Sequence, residues 1–222
     1  MRRMIRNIML LLLGVLFMAS CATTTTTASF LEGNSDGKNY PKVIAAMPPI
    51  NKTVNVEVKE FLYCTFTRPL AERGYYVLPS FLTMEMFKSE SAYDSELFID
   101  GNLKKFGEVL GADALLFTII HRWEKAALLA QITVEVEYIL KSTHDNSTLF
   151  TQRKTIVHNY SSGSTSGGLT ELLVGMAIDA LVTASKDPLE AARQANNLSL
   201  SNLPAGIYHP DYERDRVANT AN

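Results

Sequence analysis

Two adjacent stretches near the middle of the chain constrain the fold most strongly. The run ADALLFTIIHRW, residues 112–123, is apolar on both alternating sets of positions. A central strand that is covered on both faces has this pattern. Apolar and polar side chains then alternate with a period of two over residues 130–140, which predicts a strand with one buried and one wet face. A turn at STHDNST and a third run, LFTQRKTIVHNY, complete an antiparallel meander.

The segment before this meander has the pattern of a βαβ unit. KVIAAMPPI is a short apolar run stopped by Pro48 and Pro49, and GYYVLPS is a second run that ends at Pro79. Between them, apolar residues recur at spacings of three and four from Val54 to Leu70, which predicts one helix of about five turns. Strands joined in this way are parallel. We therefore expect an α/β fold: a mixed sheet of about five strands, parallel and then antiparallel, flanked by helices.

The N-terminus predicts an export signal and not a membrane span. The apolar run over residues 8–17 covers about half the length that a spanning helix needs, and three arginines precede it. The ending MASC, residues 18–21, resembles the lipobox of bacterial lipoproteins, in which the cysteine receives a lipid and the peptide before it is removed. The resemblance implies a signal peptide over residues 1–20 and a lipidated Cys21. The alternative is an ordinary signal peptide with a coincidental cysteine.

Composition divides the mature chain into three parts. Residues 21–39 are rich in threonine, serine and glycine and predict a flexible tether, because they cannot bury enough apolar surface to offset chain entropy. Residues 40–210 are expected to form a single α/β domain, with Leu203, Ile207 and Tyr208 lying on it. Residues 211–222 predict a loose tail. The formal net charge of −2 gives no basic patch, so nucleic acid is not an expected partner.

Four stretches occur in the order found in a DUF799-type family of Gram-negative lipoproteins of unknown function, the meningococcal surface-antigen-candidate type. They are VIAAMPPINKTVNV, RPLAERGYYVLP, FGEVLGADALLFTII and SSGSTSGGLTELLVGMAIDALV. The resemblance implies a fold similar to the N-terminal domain of the Tol-system protein TolB and, more distantly, to CsgG-type secretion lipoproteins. Family members tend to be encoded near a CsgG-like lipoprotein, which implies an accessory role in envelope transport. The acidic insert over residues 89–100 departs from the family pattern.

Side chains capable of chemistry are few and scattered. None of the four histidines stands three or four positions from another, the spacing that helical zinc motifs require. No metal, cofactor or catalytic residue is therefore predicted. A hydrolase or glycan-binding site assembled from distant residues would use His121, Glu135 and His158. The simpler expectation is that His121, at the end of a strand, bonds to the backbone and that Glu135 is a carboxylate on the solvent-facing side of its strand. Cys64 falls within the predicted helix and is expected to be buried and inert.

The segment from Leu169 to Thr183 predicts an unusually apolar helix. Apolar residues cover more than half of its circumference, whereas a stripe of about 100° suffices for packing on one sheet. Burial within its own domain and contact with another chain, such as a second copy, both fit this pattern. In the second case Val174, Gly175 and Ile178 form the partner-binding flank.

Two hypotheses about function follow. The first is a non-catalytic adaptor of an envelope transport or secretion assembly, anchored by lipid to the periplasmic face of the outer membrane. Ala22, in place of an aspartate after the lipidated cysteine, favours the outer membrane under the sorting rule of enteric bacteria. The partners would be other envelope proteins, among them a CsgG-like lipoprotein. The second hypothesis is a periplasmic hydrolase or glycan-binding lipoprotein.

Overall fold

A seven-stranded mixed sheet runs through the computed structural model, which describes residues 24–26, 40–126, 131–159 and 188–213. The strands are β1 (Thr24–Thr26), β2 (Val43–Ala46), β3 (Ile50–Asn51), β4 (Tyr76–Val77), β5 (Ala114–Ala126), β6 (Gln131–Ser142) and β7 (Thr148–Asn159). The helices are α1 (Val58–Tyr63), α2 (Thr67–Glu72), α3 (Ser80–Ser89), α4 (Lys104–Leu110) and α5 (Pro188–Leu200), with a 3-10 turn at Ser95–Leu97.

The strand order is β1-β7-β6-β5-β2-β4, with β3 also paired to β5. Strand β2 is parallel to β4 and to β5, and β3 is parallel to β5. Strands β5, β6 and β7 are antiparallel neighbours. The expected fold class, a parallel βαβ unit followed by an antiparallel meander, is therefore confirmed. Strand β3 was not predicted, because a strand of two residues directly after a pair of prolines is too short to show an alternation of apolar and polar side chains.

One row of paired residues runs across five of the seven strands, from β3 to β1. Ile50 lies opposite Ile119, Ile119 opposite Glu137, Glu137 opposite Arg153, and Arg153 opposite Thr24. The last pair joins β7 to β1, which lies within the segment that composition predicts as a tether. At Thr24–Thr26 that segment is thus an antiparallel edge strand.

Each face of the sheet carries its own apolar core. On one face, here called the α5 face, helices α1 and α5 pack over residues such as Ile44, Leu116 and Val136. On the opposite face, here called the α4 face, the segment around α4 and the 3-10 turn packs over Leu115 and Phe117. Buried and half-exposed residues alternate along the whole of β6, as its sequence predicts.

Two short helices, α1 and α2, stand in place of the single helix predicted from Val54 to Leu70. The first of them begins at Val58, so the predicted start at Val54 is wrong. A hydrogen-bonded turn occupies this place: the Asn51 carboxamide oxygen accepts from the Thr53 N–H at 3.0 Å and the Thr53 hydroxyl at 2.8 Å. The Asn51 amide donates to the Asn55 carbonyl at 2.7 Å. Such side chains offer the backbone an alternative to helix. Val54 is consequently fully exposed instead of lying on a buried helix face.

The expected burial of Cys64 is wrong. Cys64 caps α1 with its backbone still helical and its N–H bonded to the Glu60 carbonyl at 3.0 Å, and its side chain is exposed because it lies off the buried side of the helix. Tyr63 and Leu62, one and two positions earlier, are buried. Burial raises the pKa of Tyr63 to about 12, against a lowering contribution from its hydrogen bond with Thr83.

A buried polar network ties β6 to two helices. The Tyr138 hydroxyl donates to the Asn196 carboxamide oxygen on α5. The Asn196 amide donates to the Leu62 carbonyl at 3.0 Å and to the Thr65 hydroxyl at 2.7 Å. Complete burial raises the pKa of Tyr138 far above its ordinary value. The hydroxyl therefore stays a donor throughout the ordinary pH range.

The C-terminal segment, residues 203–208, forms a strap across the start of the domain. Three side chains donate to its carbonyls: Arg73 Nε to Leu203 at 2.7 Å, Tyr75 to Pro204 at 2.6 Å and Tyr40 to Ala205 at 2.8 Å. The Gly206 N–H in turn donates to the Arg73 carbonyl at 2.7 Å. The strap is thereby bonded along nearly its whole length.

The strap tests three expectations about the tail. Leu203 is buried and Ile207 packs against the core, as predicted. The side chain of Tyr208 is exposed, which the sequence pattern misses, although its N–H donates to the Gly74 carbonyl. Tyr212, which composition places in the loose tail, packs edge-on against Tyr40 with ring centroids 5.2 Å apart.

Candidate functional site

Two of the sequence-predicted polar residues, His121 and Glu135, lie at the end of the α4 face that none of the described helices covers. His121 stands at a β-bulge in β5, where the register with β6 shifts between Ile120 and Arg122. Because a bulge inserts one residue into a strand, it re-aims the side chain there. His121 Nε2 lies 2.7 Å from Glu137 Oε2 on β6. A carboxylate, and not the backbone, is therefore the observed partner of His121.

The second carboxylate of this surface is held by arginines. Arg153 on β7 donates to Glu135 Oε1 from Nη2 at 2.8 Å and from Nε at 2.9 Å. Arg122 Nε lies 3.7 Å from the other oxygen, Glu135 Oε2. The ion pairs bridge adjacent strands on the half-exposed side of the sheet, where each contributes about 1 kcal/mol at most. Glu135 is thus a partner of cationic side chains, and this gives it a structural role.

His158 does not join His121 and Glu135. It lies opposite Ile132, which is fully buried on the α5 face, and directly opposed residues share a face. Its Nδ1 is hydrogen-bonded to Gln194 on α5. Glu135 lies at an odd position of β6 and belongs to the α4 face. The three residues of the hydrolase hypothesis are therefore divided between two faces of the sheet.

The His121–Glu137 pair has one element of acid–base chemistry. A carboxylate that holds one imidazole nitrogen fixes the ring and its tautomer, as in general-base pairs. Across the described residues, no three histidine, cysteine, aspartate or glutamate side chains are placed to hold a metal ion. The pair can exchange hydrogen bonds or a proton with a polar ligand lying on this face.

A polar concavity of about 280 Å³ lies where the PPINKT stretch meets the acidic insert. The Ser95 hydroxyl donates to the Pro48 carbonyl at 2.6 Å and is buried. Lys59 lies 4.3 Å from the centroid of the Tyr93 ring, a cation–π contact. The insert therefore closes over the end of β3 and is fastened to it. The sequence does not predict where the insert lies in the fold, because an acidic polar stretch shows no periodicity.

Helix α3 presents an apolar surface to solvent. Thr83 and Phe87 are buried against the domain. On the outward side, Phe81 is 75% exposed and Leu82 is 58% exposed, and Met86 stands one turn beyond Leu82. Neighbouring apolar side chains on one helix side mark an interaction surface more often than scattered ones do. We call these three residues the α3 patch.

The remaining sequence-predicted site residues, Cys21 and the flank Val174, Gly175 and Ile178, lie outside the described residues. Within the described ranges, no helix combines the length and the apolar character needed to cross a bilayer.

The architecture defines the class of protein: a single mixed-sheet α/β domain with helices on both faces. The solved structure of lipoprotein GNA1162 from Neisseria meningitidis has this fold, with 25% identity and a TM-score of 0.50 over 65% of this chain and 97% of that chain. A curated relative from N. meningitidis serogroup B, named "Putative lipoprotein NMB1124/NMB1162", is 22% identical over 178 residues, 79% of this chain and 81% of the relative. A PelC dodecamer from Paraburkholderia phytofirmans is a more distant neighbour, at 13% identity and a TM-score of 0.42, covering 76% of this chain and 96% of PelC.

The family model described as "Putative lipoprotein GNA1162-like" matches residues 35–209. The chain belongs to the GNA1162-like lipoprotein family, and the family expected from the four sequence stretches is confirmed. Membership in a lipoprotein family implies anchoring to a membrane by an N-terminal lipid.

Proposed function

We propose that this protein is a non-catalytic accessory of an envelope transport or secretion assembly. Lipid on Cys21 holds it to the periplasmic face of the outer membrane, and its folded domain contacts another envelope protein. Family membership supports the lipid anchor. The fold supports the accessory role through the α3 patch, which a protein acting alone in water would have little reason to keep exposed.

The α3 patch is the observation that carries the proposal. Its apolar side chains project from a helix whose opposite side is anchored in the domain, so the patch is a firm surface. An aromatic side chain such as Phe81 contributes most to an interface when a partner buries it completely. The partner proposed is a CsgG-like lipoprotein, the neighbour that the family resemblance implies. The flank of Val174, Gly175 and Ile178 is proposed as a second contact, with this partner or with a second copy of the chain.

The hydrolase or glycan-binding alternative is less well supported by the geometry. His158 and Glu135 lie on opposite faces of the sheet, and the carboxylate of Glu135 already forms an ion pair with Arg153. Of the three candidate residues only His121 keeps a partner suited to acid–base chemistry, and that partner is Glu137, which the hypothesis did not include. We therefore propose that the protein is not an enzyme.

Lipidation is tested on the protein extracted from membranes. We expect mass spectrometry to find an N-terminal Cys21 that carries acyl chains and to find no residue before it. Two or three chains hold a protein stably because each buried CH₂ contributes about 0.8 kcal/mol. Cys21→Ser should release the protein from the outer-membrane fraction of a density gradient. An unmodified Cys21 in the soluble periplasm would contradict the anchor.

The accessory role is tested with charge substitutions in the α3 patch. Phe81→Glu and Leu82→Lys should each reduce co-purification with the CsgG-like lipoprotein by about tenfold or more, because burying an unpaired charge costs several kcal/mol. Both residues are exposed, so the variants should fold. Val109→Glu, at a 61% exposed valine on α4, is the matched control and should co-purify like the wild type.

Two results would contradict this reading. Unchanged co-purification of both α3 variants would remove the α3 patch from the interface. Failure of the wild-type protein to co-purify would reject the proposed partner.

A further inference from the structure

A cleft of about 360 Å³ lies between α4 and the segment that follows α3. This volume falls within the range of small-molecule sites, about 300–1,000 Å³. One wall is a side of α4 and of the residues leading into it, formed by Asn102, Lys105, Phe106 and Val109. Their spacings of three and four are those of one side of a helix. The cleft is therefore built on a regular element of the fold.

The other wall is formed by Glu90, Ala92 and Phe98. The rings of Phe98 and Phe106 meet edge to face with their centroids 5.1 Å apart, and the buried Phe87 ring lies 6.1 Å from that of Phe106. Ala92 is buried and carries only a methyl group, which leaves room between the walls. The interior of the cleft is thus apolar and suits an apolar group.

Both walls are held in place by bonds to the β6–β7 hairpin. The Leu103 N–H, at the start of α4, donates to the Asn146 carboxamide oxygen at 2.7 Å. Lys141 on β6 donates to the carbonyl of Ile99, the residue after Phe98. Because the cleft is already formed, a ligand enters it without a large cost in conformational entropy.

Polar groups at the mouth of the cleft favour an anion at one end of the ligand. Lys105 is exposed, and its ammonium forms no ion pair with another described residue. The Asn102 carboxamide oxygen accepts from the Lys104 N–H at 3.0 Å, which leaves the Asn102 amide group to donate to a ligand. One cation and one amide donor match the single charge and the two oxygens of a carboxylate. Glu90, on the other wall, repels an anion and so directs it toward Lys105.

We propose that this cleft binds an aliphatic monocarboxylate, with the chain against Phe98, Phe106 and Val109 and the carboxylate at Lys105 and Asn102. The chain covers Val109, which water otherwise surrounds, and this burial of apolar surface favours binding. The cleft shares no residue with the α3 patch, so Val109→Glu alters the cleft without touching the surface proposed for the protein partner.

Calorimetric titration with decanoate and decylamine tests the proposal, because the two ligands share one chain and differ in the charge of the head group. The mature chain with Cys21→Ser is used, since it carries no lipid and needs no detergent. Decanoate should bind at least about fivefold more tightly than decylamine, because an exposed ion pair changes an affinity by a fewfold. Equal binding of the two ligands would overturn the carboxylate assignment.

Two substitutions of exposed lysines locate the head group. Lys105→Glu should reverse the preference, so that decylamine binds more tightly than decanoate. Lys104→Glu is the matched control, since it makes the same change of charge at a neighbouring side chain that does not line the cleft, and it should keep the wild-type preference. The same response from both variants would overturn the role of Lys105. Failure of the folded wild type to bind decanoate would overturn the whole inference, and it would leave co-purification through the α3 patch unaffected.

Discussion

Replacing Gly206 with alanine is expected to lower the free energy of unfolding by about 3 kcal/mol or more, a large effect for one methyl group. A Cβ on Gly206 would lie 2.3 Å from the Gly74 carbonyl oxygen and 2.6 Å from its carbonyl carbon. Both atoms belong to the backbone and cannot rotate away. The strap would have to lift, and the bond from the Gly206 N–H to the Arg73 carbonyl would be lost. Urea unfolding followed by circular dichroism measures the effect.

Gly111→Ala is the control for this substitution. Gly111 has a left-handed backbone, with φ of 66°, which Gly206 does not have, and a Cβ on Gly111 would meet nothing within 4 Å. Its cost should be only the conformational penalty of about 1–2 kcal/mol. Equal losses for the two variants would mean that the strap adapts to a side chain, and that its close approach to Gly74 is not required.

Asn196→Leu is expected to destabilise the domain by about 2–3 kcal/mol. The substitution keeps the side-chain size but removes the acceptor of the Tyr138 hydroxyl and the donor to Leu62 and Thr65. The hydroxyl would then be buried without a partner, since Tyr138 is fully covered. An unsatisfied buried donor costs more than the hydrogen bond itself contributed.

The double variant separates this cause from simple loss of packing. Tyr138→Phe removes the hydroxyl that Asn196→Leu leaves unpaired, so the two effects should not add. The double variant should be more stable than the sum of the single losses predicts, by about 1 kcal/mol. Additive losses, or an Asn196→Leu variant as stable as the wild type, would show that the network contributes little to stability.

Periodic patterns predicted the parts of this fold that regular elements determine. The alternation over residues 130–140 predicted the buried and the solvent-facing side of β6, and the run over residues 112–123 predicted the covered strand β5. These features depend on local backbone geometry, which the sequence shows directly. The order of parallel and antiparallel strands followed from them.

Side chains that bond to the backbone account for the error at the start of α1. The spacing of apolar residues counted Val54 as part of a helix, but Asn51, Thr53 and Asn55 form a turn there instead. Cys64 was misplaced for a different reason, since it caps α1 on the exposed side of the helix. Apolar spacing alone contains no information about which side chain captures a backbone group.

The candidate site depended on information that is not local. A period of two places His121, Glu135 and His158 on strands but does not give the register between strands or the bulge at His121. The register separates His158 from Glu135 and brings Glu137 to His121. Only a cross-strand alignment could have predicted this. The family resemblance identified the class of protein, which no pattern of charge or hydropathy could have done.

The bond between Tyr40 and the strap sets a condition on when folding can finish. Tyr40 and Ala205 are 165 positions apart, and Arg73 and Leu203 are 130 positions apart. Contacts this distant form late, because closing a long loop costs entropy before its contacts compensate. A chain threaded through a pore with its N-terminus first therefore cannot form the bond between Tyr40 and Ala205 until Ala205 has emerged. The strap that locks the finished domain also times its completion to the end of transit.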